Sequence, residues 1–124
     1  MIKISIVIPV FNEEDNILDL VNEIYKSFLS INNIFEVIVV NDGSVDKTFE
    51  KLKILEDQNK IKVINNSKNF GQSYSIKKGI ENSSYDNILT IDGDGQNNPD
   101  DIKKLLKIYQ EKNLHLISGI RQKR

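Results

Sequence analysis

The sequence has no cysteine and only one histidine, His115. Disulfides and thiolate metal sites are thereby excluded, as is a histidine-rich metal centre, so any bound metal must be held by oxygen. A surplus of positive charge is also missing, with 17 lysines and arginines against 18 aspartates and glutamates. Without a basic field to hold phosphodiester backbone non-specifically, no nucleic-acid partner is expected. Long apolar runs are absent too: ISIVIPVF and FEVIVV fall far short of the ~20 residues that cross a bilayer. The N-terminus carries no basic region or cleavage site of a secretory signal. The expectation is a cytoplasmic chain, at most at the cytoplasmic face of a membrane.

What remains is a chain of 124 residues, 39% hydrophobic and 28% charged, the make-up of a single globular domain with a modest core. Ile4 to Val10 and Phe35 to Val40 are continuous, β-branched apolar runs, the pattern of strands buried on both faces. Shorter runs at Ile61 to Ile64, Asn87 to Ile91 and Leu114 to Ile120 predict three more strands. Ile17, Leu20, Val21, Ile24 and Phe28 share one helical face, and Phe49, Leu52 and Leu55 mark a second helix behind Asp46. A third helix is expected around Gly71 to Ile80, where glycines and serines give poor propensity. A fourth, with Ile102, Leu105, Leu106 and Tyr109, follows Pro99. This βαβαβαβαβ order, with no linker or repeat, predicts an α/β three-layer sandwich around a mostly parallel sheet joined by right-handed crossovers.

Ligands of such sheets sit outside the carboxyl ends of the strands. The segments expected there are FNEED, NDGSVD, NNSKNFG, DGDGQNNPDD and RQKR, rich in acid, amide and glycine. Asp92 and Asp94 lie two residues apart, so an extended backbone turns both carboxylates to one side. Two such anions repel unless one is protonated or a cation lies between them, and Gln96 adds a neutral oxygen. A hard ion, Mg2+ or Mn2+, shared with a diphosphate satisfies this sparse set. The plainer alternative is a polar turn, with Asp100 and Asp101 starting a helix. A calcium-binding EF-hand is excluded, because its sixth and twelfth positions would be Asn97 and Lys103. Asp42 ends a buried strand, where it can accept from a nucleobase or ribose, or simply make a turn with Gly43. Asp46 has the position of an N-cap. Phe11 offers a ring to stack and Glu13 a carboxylate for ribose; both equally suit a strand exit and helix start.

Taken together, PVFNEE, VVNDGSVDKT, NFGQSYSIKKG, DGDGQNNPDDI and GIRQKR resemble the successive motifs of family 2 glycosyltransferases of GT-A fold, across essentially the whole chain. The likeness is greatest to the dolichol- and polyprenyl-phosphate mannosyl- or glucosyltransferase branch. It implies that Pro9, Phe11, Glu13, Val40 and Asp42 hold the nucleoside of a nucleotide sugar such as UDP-glucose or GDP-mannose. It implies further that Asp92, Asp94 and Gln96 carry Mg2+ or Mn2+ on the diphosphate, with Gly93 against the ribose and Arg121 facing phosphate. Asn69, Gly71, Ser75 and Gly79 match close-packing positions. Glycine at 93 and 95 replaces the alanine and leucine of the family's Asp-Ala-Asp-Leu-Gln, which implies a looser loop, and Phe11 replaces a frequent tyrosine.

The activity so implied is sugar transfer with inversion, Asp94 acting through the metal on the departing nucleoside diphosphate. A lipid phosphate acceptor is already ionised and needs no general base. Relatives continue past the fifth strand into an acceptor region, often with membrane helices, that is expected to be absent from this stretch. An alternative of another class is accordingly a non-catalytic nucleotide-sugar-binding remnant or subunit. A phosphoacceptor receiver domain, of similar alternation, fits worse, since Asn65 and Asn66 stand where its aspartate belongs. Arg124 in the terminal tail and the partnerless His115 support no site argument.

Overall fold

The structure, a computed structural model, describes residues 3–29, 34–93 and 116–118. Its apolar first run forms β1 (Lys3–Val10), buried at every position after Lys3. There follow α1 (Ile17–Leu29), β2 (Ile34–Asn41), α2 (Thr48–Asp57), β3 (Lys62–Asn65), α3 (Gln72–Glu81), β4 (Asn87–Thr90) and β5 (Leu116–Ser118). All strand pairs are parallel, in the order β3-β2-β1-β4-β5. The strands match the expected runs with ends shifted by one or two residues; the helix expected behind Pro99 lies outside the described residues.

Strand alternation divides the core between two faces. Ile4, Ile6, Ile8 and Val10 of β1 and Val37 and Val39 of β2 point to the side where Ile17, Leu20, Val21, Ile24 and Phe28 of α1 and Leu52 and Leu55 of α2 complete one cluster. Val7 of β1 and Val40 of β2 point the other way, onto Gly79 of α3. Among the described residues, two helices lie on one face and one on the other, as right-handed crossovers require when the chain winds outward from β1 to β3 and then returns to β4. Among the described residues, no helix is long and apolar enough to cross a membrane.

One expectation changes and one is borne out. Phe49 is about half exposed, and α2 buries Thr48 with Leu52 and Leu55 instead. The small hydroxyl is used there for a hydrogen bond from the Glu13 N–H, at 2.8 Å, which a phenyl ring cannot accept. The weakly predicted α3 is a regular helix of 10 residues. Its poor propensity is overridden by packing, because Ser75, Ile76 and Gly79 form its buried face.

At the amino ends of the strands, Glu36 ties together elements distant in sequence. It accepts from Ser5 Oγ, from the Ser84 N–H and from Lys62 Nζ, the last at 2.7 Å. Burial pushes the Glu36 carboxyl up, but these donors outweigh it and hold the group below the usual glutamate range. This leaves the opposite, carboxyl rim as the open edge.

Gly79 sets how closely α3 approaches the sheet, since a Cβ there would stand 2.3 Å from Val7 Cγ1. Gly79→Ala is expected to destabilise the fold by about 1–3 kcal/mol through overpacking. Urea midpoints would show it, and the loss should shrink in a Val7→Ala background if this contact is the cause.

Candidate functional site

β1 ends at Pro9 and Val10, and the chain leaves through Phe11 and Asn12, whose φ of 54° lies in the left-handed region that asparagine tolerates. This exit is sewn to the segment between β2 and α2. The Asn12 N–H donates to Ser44 Oγ at 2.9 Å, and the Val45 N–H donates back to Asn12 Oδ1 at 2.9 Å. The Glu13 and Glu14 N–H groups donate to Thr48 Oγ1 and Asp46 Oδ2. Asp46 Oδ1 also accepts from the Thr48 N–H at 2.9 Å, so it serves α2 as an N-terminal acceptor although the N-cap position is Lys47. Burial pushes the Asp46 carboxyl up, but its bonds from Thr48 and Glu14 prevail and lower it.

The exit of β2 is in turn sewn to the segment between β3 and α3, and Asp42 is the centre of that seam. Its Oδ1 accepts from the Phe70 N–H at 2.8 Å and from Asn66 Nδ2 at 2.9 Å, and its Oδ2 accepts from the Gly71 N–H at 2.9 Å. Asn66 Nδ2 also donates to Ser75 Oγ at 3.1 Å, carrying the network into α3. Asn69 Nδ2 donates to the Asp42 carbonyl, and Asn41 Nδ2 donates to Asn65 Oδ1. Gly43, with φ 74°, lets the two segments touch: a Cβ there would lie 2.5 Å from the Lys68 carbonyl carbon. Asp42 is only 4% exposed, and burial pushes its carboxyl up. The bonds from Phe70, Asn66, Gly71 and Ser75 more than offset that and hold it below the ordinary aspartate range.

Between these walls and the end of β4 lies a cleft of about 390 Å³. It stands where the strand order reverses, at the junction of β1 with β4, the position at which open α/β sheets bind ligands. Of the expected site residues, Pro9, Phe11, Glu13, Asp42, Asp92 and Gly93 line it. Phe11 is 45% exposed, so its ring face is accessible for stacking. Glu13 Oε1 accepts from Asn16 Nδ2 at 3.1 Å. Gly93 packs against Pro9 O and Val10.

Val40 departs from expectation. It is fully buried beneath α3, because it occupies an inward register position of β2, and it does not line the cleft. Ser75 and Gly79 likewise pack α3 on the sheet, whereas Asn69 and Gly71 belong to the cleft wall. Asp94, Gln96 and Arg121 lie outside the described residues, as do Asp100, Asp101, His115 and Arg124. Sequence reasoning missed Asn66, which bridges Asp42 and Ser75, and Gln72, whose Nε2 donates to Asp92 Oδ1 at 2.9 Å. The only signal for either was an amide in a motif at a strand exit.

The cleft joins an aromatic face, a carboxylate held ionised at one end and a second carboxylate at the other. Among the described residues no three acidic or histidine side chains gather to hold a metal. Asp92 can supply one hard oxygen ligand from the cleft wall, so the part of the proposed cation site that is described fits a metal completed by other oxygens.

The Asp42 seam has a pH signature. A carboxyl depressed by folding stabilises the protein fully above its unfolded pKa of about 3.9, and that stability is lost as pH falls through the lower folded value. Asp42→Asn should cost about 1–3 kcal/mol at pH 7, the scale of buried bonds to a charged group. Urea unfolding of both forms should show the difference narrowing as pH drops below about 4.

The sequence pattern of Glycosyl transferase family 2 matches residues 5–124. The chain is 37% identical over 112 residues to undecaprenyl-phosphate 4-deoxy-4-formamido-L-arabinose transferase of Proteus mirabilis, covering 88% of this chain and 34% of that protein. It is 34% identical over 105 residues to dolichol-phosphate mannosyltransferase of Pyrococcus furiosus, covering 85% of this chain and 29% of that protein. Its fold resembles that of the mannosyltransferase PcManGT from Pyrobaculum calidifontis in complex with GDP-Man and Mn2+, at a TM-score of 0.74 and 16% identity, over 90% of this chain and 33% of that one. The chain spans about a third to a half of the length of the curated relatives it matches.

Proposed function

Because the chain belongs to glycosyl transferase family 2, we propose that its cleft binds a nucleotide sugar and that the protein transfers the sugar, with inversion, to a polyprenyl-type lipid phosphate. The observation that carries this reading is the position and lining of the cleft. It opens at the β1–β4 junction with Phe11, Asp42 and Asp92 around one volume of about 390 Å³, within the usual size of small-ligand sites. The relatives named for undecaprenyl-phosphate and dolichol-phosphate transfer support the choice of acceptor.

In this reading Phe11 supplies a stacking face for the base, while Pro9 and the seam around Asp42 form the rigid wall against which the nucleoside lies. Glu13 is within the same cleft to accept from a ribose hydroxyl. Asp92 with Asp94 and Gln96 would hold Mg2+ or Mn2+, which when bound would supply positive charge to stabilise the departing diphosphate. Arg121 is assigned to the same phosphates by its motif. The acceptor phosphate attacks the anomeric carbon from the face opposite the leaving diphosphate, inverting it. An ionised phosphate oxygen is itself the nucleophile, so no side chain has to remove a proton.

Calorimetric titration with UDP-glucose and GDP-mannose in Mn2+ tests the donor assignment; absence of heat with either would refute it for these donors. Asp94→Asn is expected to weaken metal-dependent binding of whichever donor binds by on the order of tenfold or more, with an unchanged circular dichroism spectrum. Equal affinity with and without Mn2+ in both forms would remove the cation from the scheme.

A further inference from the structure

Gln72 is the first residue of α3, directly after two residues whose N–H groups Asp42 holds at 2.8 and 2.9 Å. Its backbone position is therefore set from the β2 end of the cleft. Its side chain reaches to the β4 end, where Nε2 donates to Asp92 Oδ1 at 2.9 Å. One hydrogen-bonded path thus runs from Asp42 through Phe70 and Gly71 to Gln72 and on to Asp92.

An aspartate carboxyl rotates over a broad, shallow well about its last torsion, so a carboxylate on a cleft wall has no fixed direction unless something holds it. A bond from an N–H to an ionised carboxylate is stronger than one between neutral groups, and supplies that hold. The choice of an amide is informative. A lysine in this place would cancel the charge of Asp92 and compete with a cation, whereas an amide orients the carboxylate and leaves its charge intact. Gln72 is exposed and lines the cleft, so its amide is not there to satisfy a buried group, and its contribution to folding is small.

We propose that Gln72 is a positioning residue, which fixes the rotation of the Asp92 carboxylate and so presents it to the cation and diphosphate of the donor. The proposal rests on the nucleotide-sugar reading above. Partners that orient a ligating carboxylate typically govern metal affinity by 10–100-fold, and Gln72 belongs to that class.

The test uses the full chain with UDP and with GDP as probes, each with and without Mn2+, followed by calorimetry. Gln72→Ala and the isosteric Gln72→Glu, which has no donor, should both bind the recognised nucleotide about tenfold more weakly in Mn2+. Their urea midpoints should match the parent chain, and the loss on Gln72→Ala should be larger with Mn2+ than without it. Parental affinity in both variants would overturn the proposal, and tighter binding by Gln72→Glu would show residue 72 to be a ligand itself, which also overturns it. A ligand-free arm follows the side-chain amide resonances of Gln72 by NMR, which should shift in Asp92→Ala. Unshifted resonances would overturn the positioning role alone. Failure of the parent chain to bind either nucleotide would overturn the donor reading together with this role.

Discussion

The candidate site depends first on a buried carboxylate that accepts backbone N–H groups. Asp42 sits at the end of β2 and holds the N–H groups of Phe70 and Gly71, so it fixes where the segment before α3 passes and where that helix begins. Leaving a buried aspartate unsatisfied is far more costly than moving a surface segment to meet it. The segment therefore comes to the carboxylate, bringing Asn69 and Gly71 to form one wall of the cleft. An acid placed for a ligand by sequence logic turns out to have its first employment inside the protein.

The other walls follow the same logic of strand exits fastened to their neighbours. The β1 exit is bound to the β2–α2 segment through Asn12, Glu13 and Glu14, and the β2 exit to the β3–α3 segment through Asp42 and Asn66. What the described part of the cleft presents is chemically simple: the half-exposed Phe11 ring with Pro9 and Val10, acids and amides. That is a suitable set for a polar, cyclic, anionic ligand with a counter-ion, and a poor one for an apolar molecule.

Much of the fold was legible because burial on both faces leaves an unmistakable apolar run in β1 and β2, and because α1 repeats its apolar positions with helical spacing. Legibility failed where tertiary contact decided. Gly79 lowers helix propensity yet is the residue that lets α3 lie on Val7. Phe49 looked like core, but Thr48 took that position because a hydroxyl was needed by the β1 exit. The cleft residues at strand ends could be found from the sheet's logic, whereas Val40 follows from the family resemblance alone, and the register of β2 turns it to the inner face instead. Asn66 and Gln72 could not be found at all, because an amide has no periodic signature and acquires its meaning only from the groups within hydrogen-bond reach of it.

The central place of β1 has a consequence for how the site comes into being. Its pairing with β2 joins segments that are close in sequence, but its pairing with β4 matches Ile4 with Asn87, across most of the chain. The cleft walls bearing Phe11 and Asp42 can thus assemble from earlier segments of the chain, while the wall bearing Asp92 waits for a long loop to close.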